Sequence, residues 1–459
     1  MATAITDLTN STSLDGLMKN VYLPTMQTIA YDDDTFTQLI KARTDVVTGG
    51  GNQIVHFVTL QRAEAVGSQG EGGDFHTNVP VKGKQYGENV KYLSAYVSLT
   101  GPVIAAANEG KKAAIDIVTQ SFDSNMRAFK NDLDRQFMGD GSGRLARVSA
   151  INTGTSKMTV TQTSFPLAPF NADMFLPQGT RFHVATFDSS GIDASGPANS
   201  GSGTFGFIVT NVDSRDLSAG TAILSITDTS GNAYSGAGSH DIAAGDFCYR
   251  ERAYYDTAAA QAYLFSVCRD TNGVMNLISD GASNSETSSN YLTEWGLTRT
   301  SFSNLQSLMN DFQSAELDEE NLLSFMINLQ YSRQAKPNLL LTTPKAENKY
   351  FSNKIGDRRF NNVGPMDFVG GFTRMGIQMG SWQLILSSLA ALPKGNLIVM
   401  DTNQFAFAQN APLHYVVGDG GGILQQSHTG DNKFAAMVQY VNLVCFDEYR
   451  QGKGYSVAE

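Results

Sequence analysis

Between Gly49 and Gly101 the chain reads GGGNQIVHFVTLQRAEAVGSQGEGGDFHTNVPVKGKQYGENVKYLSAYVSLTG, and a long helical pattern follows almost at once. Two β-type arms, Gln53–Leu60 and Val90–Leu99, flank a tip crowded with Gly67, Gly70, Gly72, Gly73, Gly83 and Gly87. A hairpin tip of that length cannot bury its own backbone polar groups, so it either moves or lies against another molecule. An enzyme core gains little from an arm that leaves it. A subunit that interlocks with copies of itself gains contact area.

The helix is predicted over Lys111–Met138. Ile115, Val118, Phe122, Met126, Phe129, Leu133 and Phe137 recur at intervals of three or four and form one apolar stripe. No proline interrupts them, and Gly139 supplies a stop. At 1.5 Å per residue the helix is roughly 40 Å long, enough to brace a whole subunit. An ordinary core helix would carry the same stripe.

A length of 459 residues fits about three domains. Hydrophobic residues make up 41% and charged residues only 17%, with 44 glycines, which favours a folded protein rich in strands and loops. A net charge of −11 argues against a protein that wraps nucleic acid, because neutralising phosphates needs a cationic surface. A wall that surrounds DNA without gripping it fits that charge. Cys248, Cys268 and Cys445 lie far apart in apolar runs and read as reduced core thiols. No signal-peptide pattern opens the chain and no apolar run is long enough to span a membrane, so a cytoplasmic origin is expected.

Five regions are expected. Residues 1–48 form an N-terminal arm, whose helical periodicity over Leu14–Ile40 breaks at Pro24 and at Asp32–Asp34. The extended hairpin occupies 49–101 and the spine-helix region 102–147. From 148 to 250 the chain turns rich in Ser, Thr, Gly and Asp, with short strands at Lys157–Thr161, Thr180–Thr186, Gly206–Val212 and Thr221–Thr227. This segment reads as a small inserted β-barrel or sandwich with an acidic, exposed surface. The remainder, 251–459, is mixed. Helices are expected at Ser303–Phe312, Asp318–Gln334 and Lys345–Phe351, and strands at Leu339–Thr342, Trp382–Leu386, Leu397–Met400, Gln404–Ala408 and Phe434–Phe446. Asp318 with Glu319 and Glu320 makes a good helix N-terminus, and Pro344 can open the next helix.

Motifs that carry chemistry are lacking. The glycine pattern Gly201, Gly203, Gly206 runs into FIVTNV, a strand, so it lacks the strand–turn–helix context of a phosphate cradle. His56, His76, His183, His240, His414 and His428 are isolated, with no second ligand at metal spacing. Trp295 and Trp382 read as core anchors. The sequence therefore offers no catalytic residue, no cofactor site and no metal site, and the chain is read as a non-enzyme.

Four stretches, in order, carry a resemblance: VKYLSAYVSLTG (90–101), RAFKNDLDRQFMGDGSGR (127–144), NLLLTTPKAENKYF (338–351) and LPKGNLIVMDTNQFAFAQ (392–409). They are similar to the returning strand of an extended loop, the end of a spine helix, the centre of an axial domain, and a late strand segment. Together the parts resemble the major capsid protein of tailed bacteriophages, the Hong Kong ninety-seven-type fold. The segment 148–250 departs from the minimal fold. The resemblance implies an α+β subunit with N-terminal arm, extended hairpin loop, spine helix and axial domain. It implies self-assembly into hexamers and pentamers of an icosahedral head shell enclosing double-stranded DNA without sequence-specific binding. It also implies a virion location after assembly in a bacterial host cytoplasm. By analogy the partners are a scaffolding protein, separate because no charged helical leader opens the chain, a portal, and in some relatives decoration proteins. Two alternatives stay open: an encapsulin-type compartment shell, and a β-rich carbohydrate-binding or adhesive protein. Some relatives cross-link a hairpin lysine to a neighbour's asparagine. Lys82, Lys84, Asn361 and Asn362 offer the residue types, yet ordinary turn chemistry explains them equally, and a non-covalent shell is expected.

Overall fold

The computed structural model describes residues 40–43, 47–48, 53–61, 82–108, 112–141, 143–152, 154–161, 175–188, 191–193, 207–216, 221–228, 244–250, 270–281, 293–294, 297–353, 376–379, 382–389, 391–417, 423–426 and 431–458, with a few isolated positions besides. The fold is α+β. Its axis is helix α2 (Lys112–Met138), preceded by the short helix α1 (Gly101–Asn108). As the stripe requires, Val118, Phe122, Met126, Phe129, Leu133 and Phe137 are buried. Each such side chain contributes about 1.5–3 kcal/mol on leaving water.

The stripe packs on a five-stranded sheet. Strand Asn432–Cys445 lies at its centre, paired antiparallel with Phe405–Tyr415 and with Lys91–Thr100, while Lys41–Arg43 adds in parallel to Phe405–Tyr415. Phe137 stacks on Phe407 at 4.7 Å between ring centroids, and Phe36 meets the same ring edge-on at 6.2 Å.

Here the hairpin differs from its sequence reading. Gln53–Gln61 pairs not with Val90–Leu99 but with Lys82–Asn89, from Gln53↔Asn89 to Gln61↔Lys82. The glycines Gly83 and Gly87 belong to a strand and not to the tip. Val90 is buried at the hairpin base, and beyond it the chain enters the other sheet. The reason is period-two alternation: Leu93 and Val97 turn inward to the helix while Tyr92 and Tyr96 turn out. The tip segment between Gln61 and Lys82 lies mostly outside the described residues.

Between Arg144 and Arg250 six strands form an all-antiparallel sheet that closes on itself, and a seventh, Gly191–Asp193, pairs with Arg181–Asp188 outside the ring. Arg144–Asn152, Lys157–Thr161, Thr221–Asp228, Phe207–Asp216, Arg181–Asp188 and Phe247–Arg250 each pair with the next, and Phe247–Arg250 returns to Arg144–Asn152. The alternating residues Met158, Val160, Ala222, Leu224, Phe182, Val184 and Val209 fill the barrel. Closure removes the pairing edges that a flat sheet of this size would expose. The expected strands are present; Arg144–Asn152 and Phe247–Arg250, which complete the ring, were not foreseen.

A six-stranded mixed sheet follows, in the order Leu308–Asp311, Gly452–Tyr455, Leu397–Met400, Leu339–Thr342, Trp382–Ser388 and Gly376–Met379. Its central strands bury apolar residues on both faces. Leu339, Leu341, Ile398 and Met400 join the core under α2, whereas Leu340, Leu384, Leu386, Leu397 and Val399 pack under helix α4 (Glu319–Arg333). Ser303–Phe312 is not helical: two 3-10 turns, Arg299–Ser301 and Ser303–Leu305, lead into the strand Leu308–Asp311. Pairing with Gly452–Tyr455 along a sheet edge overrides the local spacing.

Two more helices are described, the single turn α3 (Val274–Leu277) and α5 (Pro344–Asn353), which starts on Pro344 as expected. Helix α4 is capped as read: Asp318 Oδ1 accepts the Asn321 amide at 2.8 Å. Asp318→Ala is expected to cost about 1 kcal/mol of stability, readable as a lower urea midpoint. A loss below a few tenths would show that the cap is idle.

Candidate assembly surface and the polar junction behind it

Among the described residues the hairpin packs into the body at its base. Ile54 and Val90 pack with Leu305, Ala406, Ala408 and Val444, and Val47–Thr48 adds a short third strand. From there the pair extends roughly 30 Å at 3.3 Å per residue. Phe57, on its outgoing strand, is 56% exposed. Other large apolar groups are also open to solvent. Tyr92 and Tyr96 stand on the outer side of Lys91–Thr100, with Tyr92 against the Tyr440 ring at 5.1 Å. On α4, Leu323, Ile327 and Tyr331 form a second stripe opposite the buried Leu322, Phe325, Met326 and Leu329, and Tyr331 is 84% exposed. Exposed apolar groups of this size suit contact with another protein surface.

Behind them runs a buried polar junction built on residues 270–281. Its first half docks on the end of α2. Arg135 Nη2 donates to Asp270 Oδ2 at 2.7 Å and Arg135 Nε to Asp132 Oδ1 at 3.0 Å. Gln136 takes the Thr271 amide on Oε1 and donates to Asp132. Burial pushes the Asp132 carboxyl up, but Arg135, Arg250 and the hydrogen bonds outweigh it and hold it below the usual range. For Asp270 burial wins over Arg135, and its carboxyl is raised. The backbones meet closely here. A Cβ on Gly273 would lie 2.2 Å from the Gly139 carbonyl oxygen and 2.6 Å from that of Gln136, so only glycine fits.

The second half ties this end to the rest. The Asn442 side chain accepts the Asn272 amide at 2.8 Å and donates to the Asn89 carbonyl at 3.2 Å, joining the hairpin base to the junction. Arg299, fully buried, reaches the Asn276 carbonyl and pairs with buried Glu448 at 3.4 Å. Lys453, also fully buried, donates to the Met275 carbonyl at 3.1 Å. Burial, then Arg299, pushes the Lys453 amine down to about 7 against the partial pull of Asp280 and Asp140.

Sequence reading assigned no catalytic, cofactor or metal residue, and it missed the junction. Its members are scattered from Asp132 to Lys453 and share no motif. The stripe on α4 had a signal, since NLLSFMINLQY is apolar on more than one face. Of the residues singled out, Lys82 is exposed on the returning strand, Lys84 lies on the same strand, and Asn361 and Asn362 lie outside the described residues. Cys248 and Cys445 are buried and not in a disulfide, and burial raises the Cys248 thiol; Cys268 lies outside the described residues. Gly201, Gly203 and Gly206 also lie outside them, and the segment that follows is the strand Phe207–Asp216. Of the histidines, His414 is described in full and faces Tyr440 at 6.0 Å; the side chains of the others are outside the described set. Among the described residues no group of three ligand-type side chains could hold a metal ion, and no helix is long and apolar enough to cross a membrane.

No protein-family model matches the chain, and no curated protein matches it. Solved structures do. In the capsid asymmetric unit of cyanophage A-1(L), a chain is similar at 9% identity over 92% of this chain and 94% of that one, with a TM-score of 0.44. In the capsid of a native GTA particle the values are 8% identity, 93% and 90% coverage, and a TM-score of 0.37. The holo-SrpI encapsulin complex from Synechococcus elongatus matches at 10% identity over 33% of this chain and 53% of that one, with a TM-score of 0.22.

Proposed function

We propose that the chain is a major capsid protein of the Hong Kong ninety-seven type. Copies of it build the icosahedral shell that encloses double-stranded phage DNA. The observation that carries this is the hairpin: a two-stranded arm whose base packs into the body, with an aromatic side chain exposed along its length, in a chain that also builds a 27-residue helix. An arm of this kind has no fold-internal use for Phe57. Laid over a neighbour, it gains apolar contact and strand-edge hydrogen bonds. The outward Tyr92, Tyr96, Leu323, Ile327 and Tyr331 supply further contact area to neighbouring copies. Net negative charge keeps the inner wall from adhering to packaged DNA. Scaffolding protein, portal and decoration proteins are the partners this reading calls for, and the virion is its location.

Expression of the chain with a scaffold, followed by sedimentation and electron microscopy, tests it. Capsomers or closed polyhedral particles are expected, and only monomer under every salt and crowding condition would overturn the reading. An encapsulin-type shell would also close, but its particles would not protect double-stranded DNA from nuclease in infected cells.

A further inference from the structure

Helix α4 is apolar on two opposite sides. On its inner side Leu322, Phe325, Met326 and Leu329 are buried against the six-stranded sheet. On its outer side stand Leu323, Ile327 and Tyr331, one every four residues. Residues four apart stack along one face of a helix, so these three form a ridge. A surface helix needs a single apolar stripe, and one that is apolar on both sides is normally covered on both. In the single chain the ridge stays exposed, Leu323 at 40% and Ile327 at 39%.

The charges at the two ends of the ridge indicate what covers it. The N-terminal end is acidic, with Asp318, Glu319 and Glu320 all exposed. The C-terminal end is basic. Arg333 lies in the last turn, its guanidinium over the Tyr449 ring at 4.1 Å, and exposed Lys336 follows. A face that runs from acidic through apolar to basic matches a second copy of itself laid antiparallel. Leu323 then meets Tyr331, the acids meet the cations, and Ile327, the middle of the ridge, meets its own counterpart. Laid parallel, the acids would face acids and the cations would face cations.

We propose that the outer face of α4 is a two-fold seam, on which a second copy of this chain docks through its own α4, antiparallel and centred on Ile327. Resting on the reading of the chain as a shell subunit, the seam specifies one contact between copies and its symmetry. An isologous contact joins two subunits and goes no further, so the seam makes pairs, and other surfaces link the pairs. Two short helix faces bury far less than the roughly 1,200 Å2 of a stable complex. The free pair is therefore weak and is best caught covalently.

The test is disulfide trapping of the full chain under mild oxidation, free and in particles, read on non-reducing gels against the wild type, whose own cysteines set the background. In the antiparallel pair two copies of residue 327 face each other within the roughly 7 Å that a disulfide spans between Cα atoms. Two copies of residue 320 lie roughly 21 Å apart along the axis. Ile327→Cys is therefore expected to give a covalent dimer, and Glu320→Cys none above background. Glu320→Lys added to Ile327→Cys should slow trapping roughly fivefold at low salt, and Lys336→Glu added to both should restore most of the rate. Should Ile327→Cys not fold, a mixture of Leu323→Cys and Tyr331→Cys chains decides, since it should cross-link more than either chain alone. No trapping above background, or equal trapping by Glu320→Cys, overturns the seam. Particles that close while oxidised Ile327→Cys stays monomeric overturn the seam and leave the shell reading standing. Trapped dimers from a chain that builds no particle do the reverse.

Discussion

Phe57→Asp is expected to leave the subunit folded and to stop it from assembling. The ring is more than half exposed, so the folded subunit loses little when it is replaced. On a neighbour the same ring would be an anchor, and an aromatic anchor is commonly worth about 2 kcal/mol, close to thirtyfold in the contact equilibrium. A buried aspartate adds a desolvation cost to that loss. Because a shell multiplies each contact by the number of copies, the critical concentration for assembly should rise beyond any practical value. Circular dichroism and melting should match the wild type, while sedimentation shows only unassembled protein. Normal particles from Phe57→Asp would remove the hairpin from the assembly surface.

The second large effect lies inside the subunit. Glu448→Ala leaves the guanidinium of Arg299 without its carboxylate in a place that water does not reach. Removing one partner of a buried ion pair costs roughly 3–5 kcal/mol, whereas replacing both by apolar groups is often neutral. Glu448→Ala should therefore lower the urea midpoint steeply. The double variant Arg299→Met with Glu448→Leu should recover most of the loss. A Glu448→Ala penalty under about 1 kcal/mol would mean that the pair is solvated in the native protein.

What could be read from the sequence was whatever repeats locally. The α2 stripe, the Asp318 cap, the Pro344 helix start and the strands Leu339–Thr342 and Leu397–Met400 depend on neighbours within a few residues, and the structure has them. What could not be read depends on partners far along the chain. Lys91–Thr100 has the same alternation whether it pairs with Gln53–Gln61 or with Asn432–Cys445, and only the tertiary fold selects the second. Gly452–Tyr455 looks like a loop because its two glycines answer to Phe312 and Phe325, more than a hundred residues away. The junction is invisible for the same reason: Arg135 and Asp270, or Arg299 and Glu448, become a pair only when the chain has folded. The exposed side of α4 was legible as excess hydrophobicity but not as a surface.

The closed barrel carries a further consequence in how its ends meet. It begins at Arg144, six residues beyond the last residue of the long helix, and ends at Arg250, and the two terminal strands are direct neighbours, Tyr249 opposite Arg144. Across an antiparallel pair the backbones stand only about 5 Å apart. Entry and exit therefore share one doorway, and a hundred residues hang from it without stretching the frame. Such a module can be enlarged, exchanged for a foreign domain, or cut back to a tight turn while the frame keeps its spacing. A lineage, or an engineer, could vary the module there without redesigning the frame that carries it.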